Sequence, residues 1–166
     1  MLPKVKRLIT PKSVLIVIDM QTGFATANDE NTIDKCKDLI LAFKQKNLPI
    51  VCLLYGKERL APKSFYSYGP LLPPLSKLIK NYPLAKTITK HCDSGATQVN
   101  KHLKDKSLHL FLCGVNTSSC VSATAEGLVS YGFSEVHVVV KACNDEYDER
   151  GVGWTGMFKK IGAKPV

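Results

Sequence analysis

The chain has 166 residues, 45% hydrophobic and 22% charged, with a formal net charge of +9. Those values suit one globular domain, residues 1–166, and no apolar run approaches the roughly 18 residues that a membrane-spanning helix needs. The positive charge is mostly lysine, spread along the chain, with no zinc finger, basic heptad or RNA-binding aromatic motif beside it; neither membrane nor nucleic acid is expected as a partner.

The start, Met1–Arg7, is basic, but the apolar run that follows it, Val14–Ile18, is too short for a signal peptide and is cut by Asp19. Val14–Ile18 reads instead as a first strand, β-branched and continuous, of the kind buried on both faces of a parallel sheet. Ile33, Cys36, Ile40 and Phe43 then recur three and four apart and predict a helix, with Asn31 as its N-cap and Asp34 in its first turn. Pro49–Leu54 is the second strand. Residues 56–74 carry Gly56, Pro62, Gly69, Pro70, Pro73 and Pro74, which predicts a long binding loop or lid before a short helix around Leu75, Leu78 and Ile79.

A short third strand, Thr87–Thr89, ends at Lys90, and residues 94–105 read as a helix with Val99 and Leu103 inward. Leu108–Cys113 is a fourth strand, residues 119–131 the next helix, and Val136–Val140 the fifth strand. A helix near Trp154–Ile161 and a last edge strand at Ala163–Val166 complete the pattern. The glycine-rich stretch Gly151–Gly156 lacks the preceding strand that a phosphate loop requires. Strands separated by helices imply right-handed crossovers and a three-layer α/β/α sandwich. A parallel sheet of five to six strands in the order 3-2-1-4-5(-6) is expected.

None of the six cysteines forms a CxxC pair. Cys52, Cys113 and Cys143 lie in or beside apolar runs and Cys36 on an apolar helix stripe, so reduced, buried thiols and a cytoplasmic location are expected. His91 and Cys92 are adjacent and point apart. His102, His109 and His137 read as structural or surface groups, and no metal is expected.

The most informative stretch is Cys113-Gly-Val-Asn-Thr-Ser-Ser-Cys120-Val-Ser-Ala-Thr-Ala125. It places Cys120 just past a buried strand and at the mouth of a helix, whose dipole favours thiolate over thiol. Ligands in such sheets sit at the carboxyl ends of strands, near the switch in strand order. Asp19, Lys90 and Cys120 all fall at such ends, and adjacency of strands one and four brings Asp19 to Cys120.

Three segments, Val17-Ile-Asp-Met-Gln21 with Phe24, Lys90 with Ser94, and Gly114–Val121 with Thr124-Ala125, together resemble the isochorismatase-like hydrolase superfamily of cysteine hydrolases. The resemblance implies a catalytic triad of Asp19, Lys90 and Cys120. It also implies a non-proline cis peptide between Val115 and Asn116, and an oxyanion hole formed by the backbone N–H groups of Asn116 and Cys120. Gln21, Phe24 and Thr117 are candidate substrate-binding residues. Nicotinamidases of the superfamily carry a histidine-based metal site after the second strand, whereas Leu54–Leu60 here contains no histidine. The expected activity is therefore cofactor-free and metal-independent hydrolysis of a small-molecule amide or ureido C–N bond through a thioester. Members often assemble as dimers or tetramers, so a homo-oligomer is expected. The alternative is a catalytically silent member that binds a ligand or partner. Fast labelling of Cys120 relative to the other thiols is the expected mark of the enzyme.

Overall fold

The computed structural model describes residues 3–56, 68–146 and 154–166. Much of the predicted 56–74 loop, the Lys57–Leu60 part of the segment after the second strand, and Gly151–Gly153 lie outside the described residues.

In chain order the elements are α1 (Pro3–Leu8), β1 (Ser13–Ile18), α2 (Glu30–Gln45), β2 (Ile50–Tyr55), α3 (Pro73–Ile79) and β3 (Ala85–Lys90). They continue with α4 (Ala96–His102), β4 (His109–Val115), α5 (Ser122–Ser130), β5 (Glu135–Asn144), α6 (Trp154–Lys160) and β6 (Lys164–Pro165). The six strands form one sheet in the order β3-β2-β1-β4-β5-β6, and every pairing is parallel. This is the expected architecture, with the sixth strand present.

Alternation along β1 divides the interior into two layers. Leu15 and Val17 pack with Cys36, Ile40 and Phe43 of α2 and Leu75 of α3. Val14, Ile16 and Ile18 pack on the other face with Val99 of α4, Ala125 and Leu128 of α5, and Phe158 of α6. All six residues of β1 are buried, as expected of a strand covered on both faces. β1 lies between β2 and β4, so the strand order reverses direction beside it, and the carboxyl ends of β1 and β4 stand together where Ile18 is paired with Gly114. Gly114 has φ +127°, and a Cβ there would fall 2.0 Å from the Ile18 carbonyl oxygen. Only glycine fits this closest approach of the two strands.

Several boundaries differ from expectation for identifiable reasons. α2 is capped by Asp29 rather than Asn31: its Oδ2 accepts from Thr32 N at 2.7 Å and Thr32 Oγ1 at 2.6 Å. α4 stops at His102 because Leu103 is already extended. β5 runs on to Asn144, past the exposed Lys141 that mimics a strand end. A bulge accompanies this extension: the register passes from Leu112↔Val138 to Gly114↔Cys143.

Candidate active site

Asp19 follows β1 in a left-handed conformation, φ +54°, and its N–H donates to Leu53 O at 3.0 Å. Lys90 ends β3, two strands away. Its long side chain spans that gap: Nζ lies 2.9 Å from Asp19 Oδ2, and both side chains are completely buried. Gly95 makes room for the lysine, since a Cβ there would lie 2.4 Å from Leu53 Cδ1 and 3.2 Å from Lys90 Cδ. Nζ also donates to the carbonyls of Cys92 (3.1 Å) and Asp93 (3.0 Å). The three protons of the ammonium thus have two carbonyls and one carboxylate to meet. The Tyr55 ring lies beneath it, 4.5 Å from Nζ to centroid, a further attraction for a desolvated cation.

Cys120 enters from the other side of β1. After β4, Asn116 takes the left-handed conformation (φ 60°, ψ 60°), and Thr117–Val121 form one π-helical turn leading into α5. Val121 N donates to Asn116 O at 3.1 Å. Such turns are rare and recur at functional sites. The expected cis bond is corrected here: the described peptide bonds are all trans, Val115–Asn116 included. The reversal comes instead from positive φ at Gly114 and Asn116, which glycine and asparagine tolerate. Cys120 also differs from its expected place in the first turn of the helix, lying in the π turn ahead of α5.

Cys120 lies close enough to Asp19 and Lys90 for both charges to act on its thiol, while neither carboxylate oxygen of Asp19 has a hydrogen bond of good geometry. Burial pushes the Asp19 carboxyl above the ordinary carboxylate range; the nearby charge of Lys90 opposes the rise without cancelling it. Cys120 is 4% exposed. Burial pushes its thiol up to about 12, the negative charge of Asp19 adds to the rise, and Lys90 opposes it. One cation thus faces two acids, whose ionisations are coupled.

The remaining candidates occupy different surroundings. Gln21 is buried and its amide bridges backbone groups: Nε2 donates to Tyr55 O and Gly69 O, and Oε1 accepts from Tyr55 N. Thr117 is buried and donates to Asn144 O at 2.9 Å. Phe24 lines a cleft of about 430 Å³ with Thr26, Tyr68, Asn116, Ser119 and Asp145. Its ring stacks on Tyr68 at 4.2 Å, and Tyr55 meets Tyr68 edge-on at 5.3 Å. These aromatics connect the cleft to the Lys90 ammonium.

Sequence reasoning passed over a second layer of polar contacts. Asp145 Oδ2 accepts from Ser118 N at 2.7 Å, Asn144 Nδ2 donates to Thr26 O at 2.9 Å, and Thr26 Oγ1 donates to Asn116 Oδ1 at 3.1 Å. They fasten the π turn to the end of β5. The continued apolar run Ala142-Cys143 beyond Lys141 was the signal that the strand, and the acid at its end, lay further on. As for metal, His91 and Cys92 are exposed, and among the described residues no group of three metal-ligating side chains gathers at this site.

The sequence profile of the isochorismatase domain matches residues 13–164. The chain belongs to the isochorismatase family. A secreted isochorismatase effector of Phytophthora sojae is 30% identical over 142 residues, covering 82% of this chain and 63% of its own length. Isochorismatase domain-containing protein 2A of Mus musculus is 26% identical over 142 residues, covering 83% and 62%. The chain thus spans less than two thirds of the length of these curated relatives. Among solved structures, a nicotinamidase of Staphylococcus aureus superposes with a TM-score of 0.76 at 22% identity, covering 94% of this chain and 98% of that one. The isochorismatase-family fold therefore extends over nearly the whole chain.

Proposed function

We propose that this isochorismatase-family chain is a metal-independent cysteine hydrolase that cleaves the C–N bond of a small amide or ureido compound. The observation that carries the reading is the buried ion pair of Asp19 with Lys90 at 2.9 Å, with Cys120 close enough for both charges to act on its thiol. A buried acid beside a thiol supplies a general base and a nucleophile. Burial raises the basicity of Asp19, which suits it to accept a thiol proton.

Asp19 takes the proton from Sγ as sulfur adds to the substrate carbonyl. The oxyanion is held by the N–H groups of Asn116 and Cys120; one such donor is worth about 2.7–4 kcal/mol of barrier. Asp19 returns the proton to the departing nitrogen, the C–N bond breaks, and a thioester remains on Cys120. Water then gives a proton to Asp19 and adds to the thioester, and the acid product leaves as sulfur recovers the proton. Throughout, Lys90 balances whichever partner carries the negative charge. Phe24 contacts the substrate from the cleft, while Gln21 and Thr117 act through the backbone they hold. The free state of the cysteines supports a reducing, cytoplasmic setting, and a dimer or tetramer is part of the proposal, to be checked by light scattering.

One observation favours the binding-only alternative: the thiol is nearly sealed, and burial pushes its pKa up. The two separate on turnover. Nicotinamide, pyrazinamide, N-carbamoylsarcosine and simple ureides are incubated with the protein across acid to alkaline pH, with and without chelator. Hydrolysis of at least one is expected, indifferent to chelator. Its acid limb should lie above the ordinary Asp value of about 3.9, because Asp19 must be ionised to act and burial raises its pKa. Activity lost to chelator and restored by zinc would contradict the metal-independent reading. Ligand-induced stabilisation with no turnover would favour the binding protein.

A further inference from the structure

The opposite end of the sheet carries a second cluster of ionisable side chains. His109 opens β4, Glu135 opens β5, and the two are cross-strand partners. His137 lies two residues along β5, on the same face as Glu135 by strand alternation. Its Nε2 is 3.0 Å from Glu135 Oε2. One potential ligand atom from each of His109, Glu135 and His137 falls within 4.8 Å of the other two. His137 is 5% exposed, its ring stacked on Phe111 with centroids 4.7 Å apart, and its Nδ1 is buried with no hydrogen-bond partner. His109 and Glu135 are half-buried, which leaves a route from solvent.

We propose that His109, Glu135 and His137 form a binding site for a divalent cation of the zinc class, with water completing the coordination. Two imidazole nitrogens and one carboxylate oxygen suit zinc or a neighbouring transition metal better than magnesium or calcium. Ligands about 2.0–2.2 Å from a tetrahedral ion stand roughly 3.3–3.5 Å apart. Separations of 3.0 to 4.8 Å close to that by side-chain rotation alone. Phe111 holds the His137 ring as the fixed member, and the other two ligands adjust around it. Spacing along the sequence conceals the site, because its ligands come from two strands and face each other only across the sheet.

Lys164 of β6 is the competitor. Its ammonium pairs with Glu135 Oε1 while its side chain is 47% exposed, so an incoming cation can displace it into solvent. The site is remote from the chemistry: β4 runs seven residues from His109 to Val115, which puts about 20 Å between the cluster and the π turn. A bound ion would clamp β4 to β5 and take no part in hydrolysis.

Zinc is titrated into the full chain by calorimetry, and cobalt is substituted to read its visible spectrum. One zinc per chain is expected, with a tetrahedral cobalt spectrum lacking thiolate charge transfer. His109→Ala and Glu135→Gln, each verified as folded by circular dichroism, should weaken that binding by about 100-fold or more. Lys164→Met, which removes the competing ammonium, should tighten it. Absence of binding, a thiolate signature in the cobalt spectrum, or affinity indifferent to His109→Ala and Glu135→Gln would overturn the proposal. An unchanged affinity in Lys164→Met would also count against it.

Discussion

Cys120→Ser should lower hydrolysis by roughly 10⁴-fold or more, the scale on which loss of a nucleophile is felt in a triad, with little change in stability. The side chains are close in volume, so the substitution leaves the packing around the π turn nearly unchanged. What changes is acidity: a serine hydroxyl holds its proton far more tightly than a thiol, and Asp19 is not basic enough to take it. Steady-state turnover and a thermal melt on the same preparation separate the two effects. Retained turnover would remove Cys120 from the chemistry. A collapse of the melt together with activity would assign Cys120 to packing.

Lys90→Met should have the largest effect on stability. The methionine fills most of the lysine channel past Leu53 and Gly95 but leaves the Asp19 carboxylate without the cation 2.9 Å away. Breaking one side of a buried ion pair costs about 3–5 kcal/mol. The loss should depend on pH. Without Lys90 the folded-state pKa of Asp19 climbs further above the unfolded value of about 3.9. Between those two pKa values the native state binds more protons than the unfolded state, so stability falls as pH rises. The gap from the unmodified protein should therefore widen from acid to neutral pH. Urea denaturation at two pH values measures it. The double variant Lys90→Met with Asp19→Asn should recover much of the loss, because no buried charge is left unpaired. A pH-independent gap would mean that Lys90 acts by packing.

The strand order was legible because β1 and β4 are unbroken apolar runs, which only a sheet covered on both faces accommodates. The ends of the strands that carry Asp19 and Lys90 were legible from the alternation of strands and helices, although Lys90 closes a polar edge strand, AKTITK, and not an apolar run. The surroundings of the thiol were not legible. Helix-mouth placement alone argues for a thiolate, but sulfur is nearly sealed near a carboxylate delivered by another strand, and burial and that charge push its pKa up. The extension of β5 was hidden by its bulge: β5 advances five positions, from Val138 to Cys143, while β4 advances two, from Leu112 to Gly114, which carries Asn144 and Asp145 to the rim. Gln21 and Thr117 hydrogen-bond backbone groups distant in sequence, which could not be read from the residues themselves. The Val115–Asn116 turn was located by motif, although its left-handed trans geometry was not.

The most direct test of the account is the rate at which iodoacetamide labels Cys120, followed by peptide mass, in the unmodified protein and in Asp19→Asn. Asp19 raises the thiol pKa and Lys90 lowers it. Asp19 is also the base that takes the thiol proton, so Asp19→Asn should change the labelling rate of Cys120 at neutral pH while hydrolysis is lost. A labelling rate and a turnover both unchanged in Asp19→Asn would contradict the account, because the carboxylate would then not govern the proton on sulfur.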